Sequence, residues 1–139
     1  MPPHRIQIRP IYADLDAMDI VYYANYLRYF EQGRTELMRA TGHPYSQVEA
    51  DGFSFPVTEA DIRYRNPARY DQLLYLDTWL AWMKKASLRF EYHLLRPEQD
   101  GSTTTLVTGF TVHGCVSHQG KVSALPKWVS SSLANFITV

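Results

Sequence analysis

One cysteine in 139 residues, Cys115, leaves no partner for an internal disulfide and rules out a cysteine zinc cluster. No apolar run approaches the roughly 20 residues that a membrane-spanning helix needs, so no membrane association is expected. Neither sign of charge is in excess: 14 basic residues face 14 acidic ones. A balanced chain lacks the broad positive field that holds nucleic acid or an anionic membrane, and any anion site must be local. The opening "MPPHRIQIRP" has no apolar leader, and with the single cysteine this predicts a cytoplasmic protein. Internal repeats, low-complexity tracts and linkers are missing too, so residues 1–139 are expected to form one domain. Three kinds of catalytic equipment are also absent: a G-x-S-x-G elbow, an H-E-x-x-H pair and a glycine-rich phosphate loop. None of the five histidines has metal-ligand spacing, and neither a metal nor a cofactor is expected.

What is present is aromatic. Phe, Trp and Tyr make up 14% of the chain, ten of them tyrosines, a composition that suits either a mixed interface or the wall of an organic ligand site. "RIQIRPIY" alternates Ile6 and Ile8 until Pro10 breaks the ladder, which predicts a first strand. From about Tyr23 to Thr41 the period becomes helical, with Tyr26, Phe30, Gly33, Leu37 and Ala40 on one stripe and Gly42 and Pro44 as the stop. Gly33 in mid-helix sacrifices roughly 1 kcal/mol against Ala and signals close backbone approach. After a short helical turn at "YSQVEA", strands follow: "FSFPVTEADIRY" with a phase slip near Ala60, "QLLYLDTWLAWM", "LRFEYHLL" and "TTTLVTGFTVHGCV". Pro126 opens a last short helix, "PKWVSSSLANF". One long helix followed by consecutive strands predicts an α+β fold with a mainly antiparallel sheet, and one helix cannot cover such a sheet. A homo-oligomer is the economical remedy.

The densest chemistry is "YADLDAMDIVYYANYLRYFEQGR", which sets Asp14, Asp16 and Asp19 before the helix. As a calcium loop starting at Asp14 it fails, with Met18 at position 5 and Asp19 where glycine is required. The simplest reading makes the aspartates solvated turn residues that favour the helix dipole, which suffices for Asp14. Position admits more. The first N–H groups of a helix have no partner within it and can stabilise an oxyanion on a carbonyl, while a carboxylate just upstream reaches the same carbonyl carbon. Cys115 and His113, within a strand, read as packing, with interface a second possibility for His113.

The stretch resembles the signature Y-x-D-T-D-x-x-G-x-V-Y-[HYW]-x-N-Y-x-x-[FY]-x-E-x-x-R of the hotdog-fold acyl-CoA thioesterases of the 4-hydroxybenzoyl-CoA thioesterase and YbgC type. Tyr12, Asp14, Asp16, Val21, Tyr22, Asn25, Tyr26, Phe30, Glu31 and Arg34 fall in register. Similarity continues through "GFSFPVTEADIRYRNPARYDQLL" and "VTGFTVHGCV". The resemblance implies a long central helix wrapped by a five- to six-stranded sheet, edge-to-edge dimers that often pair into tetramers, and a metal-free site for an acyl-CoA substrate. It implies Asp16 as the catalytic carboxylate, Tyr23 as the source of a polarising backbone N–H, and Asn25, Tyr12 and Tyr22 at the site. Lys84 and Lys85 match a region that meets CoA phosphates, and Arg65 adds positive charge. Asp19 departs from the pattern, which favours glycine there. An acyl carrier protein or polyketide-releasing thioesterase, and a non-catalytic acyl-binding module, remain alternatives on the same scaffold.

Overall fold

Apolar residues at helical spacing become α1, Tyr26–Ala40, whose buried face carries Tyr26, Tyr29, Phe30, Gly33, Leu37 and Met38. The structure, a computed structural model, describes residues 2–137. α1 begins later than the sequence pattern predicts, because Tyr23–Asn25 form a separate 3-10 turn before it. Fifteen residues give it a length of about 22 Å. Ala40, assigned to the buried stripe, is exposed at the last turn. A second helix, α2, spans Tyr45–Ala50, and a third, α3, spans Lys127–Ala134 behind Pro126.

The strands are β1 (His4–Ile8), β2 (Phe53–Ser54), β3 (Val57–Tyr64), β4 (Leu74–Met83), β5 (Ser87–Pro97), β6 (Thr103–Gly114) and β7 (Val116–Ser117). Five form one antiparallel sheet in the order β1-β4-β5-β6-β3, while β2 and β7 pair separately. The slip read near Ala60 is a register shift between Val57 and Glu59. Others fall between Leu80 and Trp82 and between Leu94 and Leu95, and such bulges bend strands.

On the helix side, Leu88, Phe90, Tyr92 and Leu94 of β5 are buried, as are Leu74, Leu76, Thr78 and Leu80 of β4. Two glycines let the layers close. A Cβ on Gly33 would collide with Thr78 Oγ1 and lie 2.7 Å from Leu76 Cδ2; one on Gly109 would lie 2.7 Å from the Phe30 ring. Phe30 therefore stacks on Tyr92 with ring centroids 4.2 Å apart. Among the described residues, the Thr78 hydroxyl is buried against Gly33 without a hydrogen-bond partner, whereas His113, Thr111 and Tyr92 pair with one another and with the backbone. His113 Nδ1 lies 3.0 Å from the Phe55 carbonyl oxygen and Nε2 lies 2.8 Å from Thr111 Oγ1, which is 2.6 Å from the Tyr92 hydroxyl. A carbonyl can only accept, so Nδ1 carries the proton and Nε2 accepts. Burial pushes the His113 pKa down to about 4, keeping the ring neutral. Cys115 is buried, as packing requires.

Gly33→Ala tests the close approach. On an open helix the change adds roughly 1 kcal/mol of stability; here overpacking against Thr78 and Leu76 is expected to lower stability by about 1 to 3 kcal/mol. Urea unfolding decides it, and a neutral or stabilising outcome contradicts the packing.

Candidate active site

Between β1 and α1 the chain makes a compact loop at one end of the sheet. Pro10 ends β1, Tyr12–Asp14 form a 3-10 turn, and Leu15 bridges to Val21, closing a tight turn at 16–19. The Asp19 N–H donates to the Asp16 carbonyl at 3.1 Å, and the Asp16 N–H to Ile20 at 2.9 Å. Asp19 sits at φ 59°. This explains why glycine is favoured at that position: the left-handed region is open to glycine, tolerated by Asp and Asn, and unfavourable for other side chains.

Asp14 is not the solvated capping residue read from the sequence. It is 4% exposed, and its carboxylate accepts hydrogen bonds from the Tyr29 hydroxyl at 2.8 Å and the Ile11 N–H at 3.0 Å, with Arg28 at 3.4 Å. Its carbonyl accepts from the Tyr22 N–H at 2.8 Å and the Asn25 side-chain amide at 2.9 Å. A buried carboxylate is tolerable only with such partners. Burial, and then the bond to Asp14, hold the Tyr29 phenol well above its usual range, so it stays a donor. Asp14 thus ties residues 11, 22 and 25 to the second residue of the first helical turn's inner face. Asn25 joins that framework by donating from its side-chain amide to the Asp14 carbonyl, and it lies just beyond the residues that line the cleft.

Asp16 stands differently. One carboxylate oxygen accepts the Met18 N–H at 2.8 Å, and the group makes no ion pair among the described residues. It lines a cleft of about 330 Å³ together with Ile20, Val21, Tyr23, Tyr26, Tyr64, Arg65, Asn66 and Pro67. Of the residues expected at the site, Asp16, Tyr23 and Arg65 meet here. Tyr26, Tyr64, Asn66 and Pro67 were given no role from sequence, although the last three lie inside the matched "DIRYRNPARY". Tyr22 is exposed beside Tyr23, with centroids 4.5 Å apart, and Tyr12 stacks on Tyr70 at 4.0 Å outside the cleft. The Tyr23 and Ala24 N–H groups have no hydrogen-bond acceptor among the described residues, as expected at a helix start.

Lys84 and Lys85 are elsewhere. They turn between β4 and β5, where Met83 pairs with Leu88 and Leu88 with His113, level with Val57 at the start of β3. The cleft lies beyond Tyr64, level with Val107. Six residues of β6 separate the two levels, about 20 Å. Lys84 Nζ rests 4.6 Å above the Trp82 ring. A second cavity, about 290 Å³, lies at the Lys-turn end between α1 and the start of β3, lined by Glu31, Arg34, Phe55, Val57, His113 and others. Among the described residues no three His, Cys, Asp or Glu side chains gather as a metal site, and no helix is long and apolar enough to cross a membrane.

A long helix packed against a five-stranded antiparallel sheet is the hotdog fold. The chain belongs to the thioesterase-like superfamily, whose family model matches residues 12–133. It is 33% identical over 114 residues to the putative acyl-CoA thioesterase YneP of Bacillus subtilis, covering 82% of this chain and 78% of that one. It is 32% identical over 128 residues to the acyl-CoA thioesterase YbgC of Haemophilus influenzae, covering 90% of each. The crystal structure of hypothetical protein TT1821 from Thermus thermophilus superposes with a TM-score of 0.88 at 30% identity, over 95% of this chain and 98% of that one.

The left-handed turn makes a sharp prediction. Asp19→Gly should keep or slightly raise the melting temperature, whereas Asp19→Ala should lower stability by about 1 kcal/mol. Equal stabilities for the two variants contradict a turn that depends on positive φ.

Proposed function

We propose that this protein hydrolyses acyl-CoA thioesters to the free acid and CoA. The observation that carries the reading is the placement of the Asp16 carboxylate in one apolar-walled cleft with Tyr23, whose N–H is unpaired at the helix start. The relatives named as acyl-CoA thioesterases support the substrate class. Asp16 takes a proton from water as hydroxide adds to the thioester carbon, or its own oxygen adds and water cleaves the resulting anhydride. In either route the carbonyl oxygen gains negative charge beside the Tyr23 N–H, which stabilises it. Collapse expels the CoA thiolate, a good leaving group that needs little acid assistance. Catalysis then rests mainly on orientation and the oxyanion contact.

Assembly completes the reading. β3 is a sheet edge whose first four residues are exposed, and open edges pair with other strands. Two-fold antiparallel pairing of β3 with its copy sets the Val57 end of one protomer beside the Tyr64 end of the other. Each cleft then faces the partner's Lys turn and the partner's cavity beside α1. Arg65 at the rim and the partner's Lys84 and Lys85 form the local positive charge for CoA phosphates, while the acyl group runs toward the cavity.

Asp16→Asn keeps the shape and removes the charge; with the fold intact, kcat should fall by at least about 100-fold. The panel should include short, long and aromatic acyl-CoAs together with acyl carrier protein esters. Tight acyl-CoA binding without turnover in the natural protein identifies a binding module instead, and turnover confined to carrier-protein esters moves the substrate class.

Replacing Lys84 and Lys85 together by Gln should raise KM with a smaller change in kcat, the pattern of lost ground-state binding. An unchanged KM removes them from the site. Light scattering should report a multiple of the 16.1 kDa chain; a stable monomer contradicts the shared site.

A further inference from the structure

Two successive peptide planes open the 3-10 turn that leads into α1, and each is held at its carbonyl. In the plane between Tyr22 and Tyr23, the Tyr22 oxygen accepts the Asn25 N–H at 2.8 Å. In the plane between Tyr23 and Ala24, the Tyr23 oxygen accepts the Tyr64 hydroxyl at 3.0 Å, a bond spanning 41 residues. A trans peptide is planar, so its N–H points opposite to its C=O. Fixing the two oxygens therefore fixes the Tyr23 and Ala24 N–H groups, which have no other partner among the described residues. The first tie is the ordinary closure of a turn. The second comes from outside it, from the last residue of β3.

We infer that Tyr64 is a positioning residue for the helix start: it holds the peptide that carries the Ala24 N–H directly and, through the shared Tyr23 residue, helps fix the Tyr23 N–H that meets the carbonyl; this rests on the thioesterase reading above. Three features single it out. Its hydroxyl is a donor only in the neutral form, and burial of the phenol raises its pKa, so it stays protonated across neutral pH. Its ring packs beside Tyr26, centroids 5.7 Å apart, which holds the hydroxyl in place at the cleft wall. A donor on a peptide oxygen also polarises that peptide and strengthens its N–H as a donor. Tyr64 does not touch the reacting atoms. It sets the direction and strength of the Ala24 N–H and anchors the residue whose own N–H, that of Tyr23, meets the carbonyl, and because it ends the exposed edge strand, it couples that edge to the helix start.

The test is Tyr64→Phe, which removes one oxygen and keeps the ring, beside Tyr64→Ala, which removes both. Tyr64 is 52% exposed, so the melting temperature of the Phe variant should stay within about a degree. Loss of one hydrogen bond expressed in the transition state should lower kcat roughly 3- to 10-fold on an acyl-CoA turned over by the natural protein, with KM within about twofold. Tyr64→Ala should show the same kcat loss and a raised KM from the missing wall. Natural kcat in Tyr64→Phe overturns the inference, as does a kcat loss seen only in Tyr64→Ala, because the ring alone then matters. Asp16→Asn, run in parallel, separates the two readings: a dead Asp16→Asn with a fully active Tyr64→Phe removes only the role of Tyr64, whereas an active Asp16→Asn removes the reading beneath it.

Discussion

The contact on which the rest of the molecule depends is the approach of α1 to the sheet at Gly33. With no Cβ there, the helix backbone meets Thr78 and Leu76 directly, and Phe30, three residues earlier, reaches its stack on Tyr92. Gly109 makes the matching gap in the sheet. The buried face of α1 packs on the side of the sheet where Leu76, Leu80, Phe90 and Tyr92 are buried, and each Å² of apolar surface so removed from water contributes roughly 25 cal/mol. Where α1 lies, therefore, fixes where α1 begins. The start of that helix borders the cleft that holds Asp16 and Tyr23.

A second constraint converts helix placement into loop placement. Asp14 binds Tyr29 from the buried face of α1 and the backbone of Ile11, Tyr22 and the Asn25 side chain from the loop. Its neighbour two residues on, Asp16, is left with one oxygen on the Met18 N–H and open space in front. Two aspartates of similar sequence context have opposite duties because one faces the core and the other the cleft. Asn25 and Asp19 belong to the supporting framework: the first through its amide, the second through a backbone conformation that few residues adopt.

Much of this was legible in the sequence. The strands announced themselves by alternation, the bulge near Ala60 by a phase slip, and the close helix contact by a glycine where none is favoured; each signal is local. The matched motif placed Asp16 and Tyr23 together, as the cleft has them. What escaped was set by distant partners. Asp14 looked like a solvated turn residue because Tyr29, its buried donor, lies 15 residues away. Tyr64 had no visible role because its hydroxyl acts on a carbonyl 41 residues earlier. Three residues are too few for periodicity to tell a 3-10 turn from the α-helix that follows it, so the pattern ran the helix back to Tyr23. The Lys84–Lys85 pair carried a charge pattern without a direction, and only strand register shows that it lies at the far end of its own sheet.

The central claim is that the helix-start N–H groups polarise a thioester carbonyl held beside Asp16. Difference infrared spectroscopy of an acyl-CoA labelled with carbon-13 at the thioester carbonyl, bound to the Asp16→Asn protein to block turnover, tests it most directly. The account predicts a carbonyl stretch at lower frequency than in the free thioester, moving back toward the free value when Tyr64→Phe is added. A bound carbonyl at the free frequency, in a complex shown to be saturated, contradicts it.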